Sequence, residues 1–271
     1  MLGKDRLITA AVALPAVAAC VLFLPPAAFA LLIGLVAAAG QWELYRFRFT
    51  DRLPAAAWAG CAVGVLVVAL EPPMIALAPG AILILTLRLF SGKRESALAD
   101  TGVIVLGLVY VAVLIAHIAY LKGMGAYGCW VIYLMLITWC GDAAAYYVGR
   151  TLGKTPLTEI SPNKTVEGTL GGFAASIAAA YAGMLLVPAM AWWEPLVIGL
   201  LLGPAALIGD LVESQFKRGA GVKDSSTLIP AHGGVLDKLD AFLFTAPVLF
   251  YYLKFRHMTG DVESIAGSLL P

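Results

Sequence analysis

Acidic side chains recur at helical spacing in the C-terminal half of this 271-residue chain. Asp210, Glu213 and Ser214 are spaced i, i+3 and i+4, which places them on one face of a helix. Asp237 and Asp240 repeat the i, i+3 spacing where the next apolar stretch begins. Such carboxylates suit Mg²⁺, which takes one or two of them together with water and substrate phosphates. The spacing predicts a metal site, and a cluster of helix-end salt bridges is the alternative.

Basic residues and glycines are interleaved with these acids. They are Lys217, Arg218, Gly219, Gly221, Lys223, His232, Gly233, Gly234 and Lys238. Glycines let backbone amides approach an anion closely, and cations offset phosphate charge, which phosphoryl and nucleotidyl transfer require. A solvated basic loop would explain the lysines and arginines, but not the His-Gly-Gly run or the interleaved aspartates. The mixture therefore predicts phosphate chemistry.

An earlier polar joint, residues 149–168, adds a second basic loop. It contains Arg150, Lys154 and the run Ser161-Pro162-Asn163-Lys164-Thr165. Asp142 precedes the loop within an apolar segment and offers a further ligand for a cation. The Ser-Pro-Asn-Lys-Thr run has no role in a lipid-facing turn, which makes the loop a functional candidate, with simple topology determinants as the alternative.

The elements that position these residues are membrane helices. The chain is 61% hydrophobic and 13% charged, with a mean hydropathy of +0.89, which excludes a soluble domain. A net charge of +1 excludes the basic excess of a nucleic-acid binder. Apolar runs predict nine spans in an all-α polytopic membrane protein. They lie near residues 7–25, 28–46, 54–70, 73–90, 102–121, 127–149, 169–191, 195–215 and 236–255.

Charge placement orients these spans. Fifteen Lys and Arg residues fall on one alternating set of joints and three on the other, which predicts a cytoplasmic N-terminus. Residues 1–125 are then a helical scaffold and residues 126–271 the catalytic region of one membrane domain. Glu43 and His117 are ionisable residues within the scaffold. Glu43 is expected to pair with Arg46, and His117 to be hydrogen-bonded and neutral.

The ordered residues resemble those of the phosphatidate cytidylyltransferase family, also called CDP-diacylglycerol synthase. The family pattern places Ser, Lys-Arg, Lys-Asp, His-Gly-Gly and two Asp three residues apart. Here these are Ser214, Lys217-Arg218, Lys223-Asp224, His232-Gly233-Gly234, Asp237 and Asp240. The chain departs from the pattern at Lys238, where the family has Arg, at Asn163, and at Ser226-Thr227.

The resemblance implies an Mg²⁺-dependent reaction of CTP with phosphatidate, giving CDP-diacylglycerol and pyrophosphate. The implied metal ligands are Asp210, Asp224, Asp237 and Asp240, with Lys217 and Arg218 as further catalytic residues. The implied substrate contacts are Asp142, Asn163, Lys164, Thr165, Ser214, Lys223, His232, Gly233, Gly234 and Lys238. The expected location is the inner membrane, with the active site on the cytoplasmic side and no nucleic-acid partner. A second, monovalent cation and a homodimer are left open.

Two alternatives remain at this point. An enzyme that uses CTP on another lipid phosphate, or on a polyprenol, would show similar residues. A cation-coupled transporter would use Asp142 and Asp210 as an intramembrane ion site. Transport predicts polar residues at the midplane of several spans, whereas these residues crowd one side.

Overall fold

The computed structural model describes residues 4–91, 94–187, 190–228 and 233–268, so that Lys93 and His232 lie outside the described residues. Over these ranges the chain is helical, with one isolated bridge between Pro156 and Thr165 and no strand. The helices are α1 (Lys4–Phe23), α2 (Pro26–Arg46), α3 (Ala55–Ala69), α4 (Met74–Leu89), α5 (Ala97–Leu106), α6 (Leu114–Gly123), α7 (Cys129–Leu152), α8 (Val166–Gly183), α9 (Glu194–Gly219) and α10 (Leu236–Ser268).

Each predicted span overlaps a helical segment, although α8 ends at Gly183, before the predicted end of the span 169–191. The fifth span is one continuous helical segment in which a π-helical stretch, Gly107–Val113, joins α5 to α6. Four segments are long and apolar enough to cross a membrane, and three shorter apolar helices accompany them within the described residues. The four are Pro26–Arg46, Arg94–Gly123, Cys129–Leu152 and Glu194–Gly219. The all-α polytopic membrane architecture is therefore confirmed, while the count of nine spans and the cytoplasmic N-terminus stay predictions.

Helix starts follow from local chemistry. α2 begins with Pro26 after Pro25, and proline suits the first turn because the amide it lacks would have no partner there. α8 begins after Thr165, whose side-chain oxygen accepts a hydrogen bond from the Gly168 amide at 3.1 Å. That cap fixes the end of the second basic loop against the start of a helix.

Two hydrophobic clusters hold the helices together. The larger joins α2, α6, α7 and α10 around side chains such as Leu134 and Leu243, which are fully buried. The smaller joins α2, α3, α4 and α5 around Tyr45, whose hydroxyl donates to the Ile104 carbonyl at 3.0 Å. The expected hydrogen bonding of His117 is confirmed, since its Nδ1 lies 3.0 Å from the Val113 carbonyl oxygen. Successive packing of α7, α8, α9 and α10 then brings the polar helix ends together.

α9 approaches α10 closely at Gly209, directly before Asp210. A Cβ atom at Gly209 would lie 2.3 Å from the backbone oxygen of Asp240. A backbone atom cannot move aside as a side chain can, so the absence of a side chain at Gly209 lets the two acidic helix ends meet.

Gly209→Ala is expected to destabilise the protein by about 1–3 kcal/mol, because the added methyl group collides with backbone. Gly102→Ala is the matched control, since a Cβ there meets nothing within 4 Å and helix propensity favours alanine by about 1 kcal/mol. Thermal unfolding of both variants in detergent, followed by tryptophan fluorescence, measures the difference. Equal stability of the two variants would contradict the close approach.

Candidate active site

A cavity of about 820 Å³ lies between α7, α8, α9 and α10 and is bordered by the second basic loop. Its walls include aspartates of α7, α9 and α10 and residues of the second basic loop. The predicted site residues that line it are Asp142, Asn163, Lys164, Thr165, Asp210, Asp237, Lys238 and Asp240. Residues that are separated by almost one hundred positions in sequence therefore share one cavity.

Carboxylates from three helices meet in this cavity. Asp142 comes from α7, Asp210 from α9 and Asp240 from α10, and the three interact electrostatically. Asp210 forms an ion pair with Lys164 and accepts a hydrogen bond from the Ser214 hydroxyl at 3.3 Å. This hydrogen bond confirms that Asp210 and Ser214 share one face of α9, as their spacing predicts. The cavity wall combines acidic groups with a lysine at the mouth of the basic loop.

Asp237 is held by four donors. Its Oδ2 accepts hydrogen bonds from the Ser225 amide at 3.0 Å, the Ser225 hydroxyl at 2.8 Å and the Gly234 amide at 2.7 Å. Its Oδ1 lies 2.6 Å from Nζ of Lys217. Hydrogen bonds of this kind favour the ionised carboxylate and fix its orientation.

Lys217 lies beside the cavity and is not part of its lining. Its ammonium lies between Asp237 and Glu213, a glutamate whose side chain is fully buried. The helix-end salt bridges that the sequence offered as an alternative to a metal site are therefore present. Lys217 pairs with Asp237 and Lys164 pairs with Asp210, and both aspartates line the cavity. The direct role of Lys217 in screening substrate phosphates stays a prediction.

Three further predicted residues are exposed and lie outside the cavity lining. They are Arg218, Lys223 and Asp224. Arg218 donates to the Val222 carbonyl at 3.0 Å, which closes the turn after α9. Gly233 has a φ of +84° and so supplies the turn before Asp237. The metal-ligand role of Asp224 and the contacts of Arg218, Lys223 and Gly233 with substrate phosphates stay predictions. The role of His232 also stays a prediction, because His232 lies outside the described residues.

The second basic loop is fastened by Glu167. This carboxylate accepts hydrogen bonds from the Lys154 amide at 3.1 Å and from the Thr155 amide and hydroxyl at 3.2 and 3.0 Å. Hydrogen bonds from its own backbone amide and from those two residues lower the pKa of Glu167 to about 2. The loop is therefore anchored at its base, and Lys164 projects toward Asp210.

Sequence reasoning missed the apolar part of the cavity. Trp139, Phe173, Leu207 and Phe242 line it, in stretches that read as ordinary membrane helix. No sequence signal separates an aromatic side chain that faces a cavity from one that faces lipid. The cavity lining therefore combines polar and apolar side chains.

The predicted pairing of Glu43 with Arg46 is wrong. Glu43 is fully buried, and its carboxylate accepts hydrogen bonds from the segment that leads into α10. Arg46, at the end of α2, instead donates to the Asp51 carbonyl at 3.4 Å. The spacing along α2 allowed the pair, but Glu43 points into the helix bundle, where backbone and hydroxyl donors are available.

The donor set fits a hard cation that shares its coordination with substrate. No three His, Cys, Asp or Glu side chains form a compact metal-binding group in the described part of the chain. Mg²⁺ does not require such a group, because it usually keeps several waters and binds through one or two carboxylates plus phosphates. Asp142, Asp210 and Asp240 supply oxygen atoms at the cavity wall.

Comparisons with known proteins point to one family. The chain matches the model described as "Cytidylyltransferase family" over residues 4–256. A phosphatidate cytidylyltransferase of Synechocystis sp. is 48% identical over 119 residues, which cover 42% of this chain and 40% of that protein. One of Bacillus subtilis is 37% identical over 164 residues, which cover 59% of this chain and 61% of that protein. The chain thus spans between two fifths and about three fifths of the length of these relatives.

Lys217→Met is expected to lower the stability of the protein by about 3–5 kcal/mol, because it leaves Glu213 and Asp237 buried without their shared cation. Lys223→Met is the matched control and should change stability by less than about 0.5 kcal/mol, since Lys223 is exposed. Denaturation in detergent measures both variants. Similar stabilities would show that the buried triad contributes little.

Proposed function

Because the chain belongs to the cytidylyltransferase family, we propose that it transfers CMP from CTP to phosphatidate, releasing pyrophosphate and forming CDP-diacylglycerol. The observation that carries this proposal is the cavity shared by Asp142, Asp210 and Asp240, with Lys164 beside them. A nucleotidyltransferase that acts on a lipid needs polar groups for the phosphates and apolar groups for the acyl part, and the cavity lining contains both. The relatives named phosphatidate cytidylyltransferase support the choice of lipid.

The proposed chemical step is a displacement at phosphorus. An oxygen of the lipid phosphate attacks the α-phosphorus of CTP, and the bond from that phosphorus to the oxygen bridging to the β-phosphate breaks. Pyrophosphate leaves with the electrons of that bond. The attacking phosphate is already anionic, so the step needs no strong general base. The main tasks of the protein are therefore to align two anions and to offset their charge.

The residues of the cavity divide these tasks. Lys164 and Lys238 offset charge on the phosphates, while Asn163 and Thr165 offer neutral polar groups to them. The aromatic wall around Phe242 accommodates the apolar glycerolipid backbone and the first part of its chains. In this arrangement the lipid enters from the bilayer and the nucleotide from the aqueous side.

Mg²⁺ is the cofactor that the cavity fits. Asp210 would hold it with Asp240 or Asp142, and Asp237 would support the same wall. When bound, it would supply positive charge next to the triphosphate. A second, monovalent cation and a homodimer stay predictions.

The proposed location of the site is the cytoplasmic face of a bacterial inner membrane. CTP is a cytoplasmic nucleotide, and the basic loops accumulate on the joints that charge placement assigns to that side. The lipid substrate and the bilayer would be the partners of the chain, without nucleic acid.

Asp237→Asn is expected to reduce CMP transfer by about 100-fold or more, because it removes a fixed negative charge from the cavity wall. The assay uses purified protein in mixed micelles with labelled CTP and phosphatidate, and it measures labelled lipid and pyrophosphate together. Asp51→Asn, at an exposed position in another joint, is the control and should retain activity. A fully active Asp237→Asn enzyme would remove this carboxylate from the scheme.

Metal removal provides a separate expectation. Chelation with EDTA should abolish CMP transfer, and added Mg²⁺ should restore it. Asp210→Asn should require a higher Mg²⁺ concentration for half-maximal activity, whereas Asp51→Asn should not. Full activity in EDTA would contradict the metal assignment. A panel containing phosphatidate and a polyprenyl phosphate distinguishes the two lipid classes.

A further inference from the structure

Glu43 is a buried carboxylate in the N-terminal half that binds the segment leading to Asp237. Its Oε2 accepts the Ser225 hydroxyl at 2.9 Å and the Leu236 amide at 2.7 Å. Its Oε1 accepts the Ser226 hydroxyl at 2.5 Å and the Val235 amide at 2.9 Å. These residues follow Glu43 by 182 to 193 positions. One carboxylate therefore fastens both ends of the segment 225–236.

The contacts explain how this charge is kept in the interior. A buried carboxylate is costly unless it is well hydrogen-bonded or paired. No salt bridge to Glu43 occurs among the described residues, and its four partners are all hydrogen-bond donors. Two of these donors are the amides of Val235 and Leu236 at the N-terminus of α10, where the helix dipole favours a negative charge.

Ser225 links Glu43 to the cavity wall. Its hydroxyl lies 2.9 Å from Glu43 Oε2 and 2.8 Å from Asp237 Oδ2, and its amide donates to the same Asp237 oxygen. A hydroxyl has one hydrogen, so it donates to one carboxylate at a time. The orientation of Asp237 therefore depends on the place at which Glu43 holds Ser225.

Gly234 shows how tightly this cluster is packed. A Cβ atom at this position would lie 2.0 Å from the Ser225 hydroxyl oxygen and 2.6 Å from both oxygens of Glu43. Only glycine fits there without displacing the side chains of Ser225 and Glu43. The Gly234 amide also donates to Asp237, so the same residue contacts both carboxylates.

We propose that Glu43 is a positioning residue for the reaction: from α2 it holds the segment 225–236, and through Ser225 it sets the orientation of Asp237. This inference rests on the proposed function only in that Asp237 serves CMP transfer. Glu43 does not line the cavity, so it acts through other groups and does not touch substrate. The scaffold half thus contributes directly to the geometry of the site.

Glu43→Gln tests this role. The glutamine amide keeps one acceptor oxygen but directs an NH₂ group at donors, so the segment should lose part of its anchor. We expect kcat to fall by roughly 10- to 100-fold, with a much smaller change in KM for CTP, because substrate contacts remain while alignment is lost. Ser225→Ala should act in the same pathway, so the double variant should lose little more than the worse single variant.

Glu194→Gln is the matched control. Glu194 is also a buried carboxylate, bound to the Ala191 amide at 2.5 Å and to Arg256 at 2.9 Å. It begins α9, at the end away from Asp210. Both variants should lower the melting temperature, since each disturbs a buried carboxylate. Glu194→Gln, however, should leave kcat within about twofold of wild type. An equal loss of kcat in both variants would overturn the positioning role.

Hydrogen exchange separates this inference from the proposed function. Amides of residues 225–228 and 233–240 should exchange faster in Glu43→Gln than in wild type or Glu194→Gln, whatever reaction the protein catalyses. If Glu43→Gln speeds this exchange but the wild-type protein transfers no CMP, the proposed function is refuted, while the role of Glu43 in holding these residues is retained. Unchanged exchange, or unchanged kcat in an active enzyme, would refute the positioning role.

Discussion

The structure depends on keeping several carboxylates charged where polar helix ends meet apolar helices. A carboxylate in such surroundings loses its water, and only hydrogen bonds or a cation compensate for that loss. Asp237 takes its compensation from Lys217, Ser225 and Gly234, and Glu43 takes its own from backbone amides and serine hydroxyls. Apart from the Gly234 amide, which lies three residues before Asp237, the donors for each group come from other parts of the chain, so these hydrogen bonds also fix how those parts lie against one another.

This dependence changes how the two halves of the chain are understood. The division into a scaffold, residues 1–125, and a catalytic region, residues 126–271, follows the distribution of polar residues in the sequence. Glu43 crosses that division, since it belongs to α2 and binds the start of α10. Packing supports the same connection, because α2 and α10 share the larger hydrophobic cluster. Although its sequence carries no catalytic motif, α2 therefore helps to hold the start of α10 in place through Glu43.

Local patterns predicted much of this arrangement, and long-range ones did not. Apolar run length predicted the helices, and the i, i+4 spacing predicted that Asp210 and Ser214 share a helix face, because both depend on residues close in sequence. The family pattern placed Asp237 and Asp240 at one site without indicating that Lys217 would pair with Asp237. Nothing in the spacing around Glu43 indicated a partner 182 residues away, since that contact depends on how α2 packs against α10.

The charges of the cavity wall also constrain how an anionic substrate can bind. Asp142, Asp210 and Asp240 face the same space, and one of them is already paired with Lys164. A triphosphate and a lipid phosphate would add further negative charge, which the other cations of the lining, Arg150 and Lys238, cannot balance alone. The wall is therefore suited to anions that arrive with their own cation, and poorly suited to free anions. This charge deficit is the physical reason for assigning the acidic residues to a cation shared with substrate and not to structural salt bridges alone.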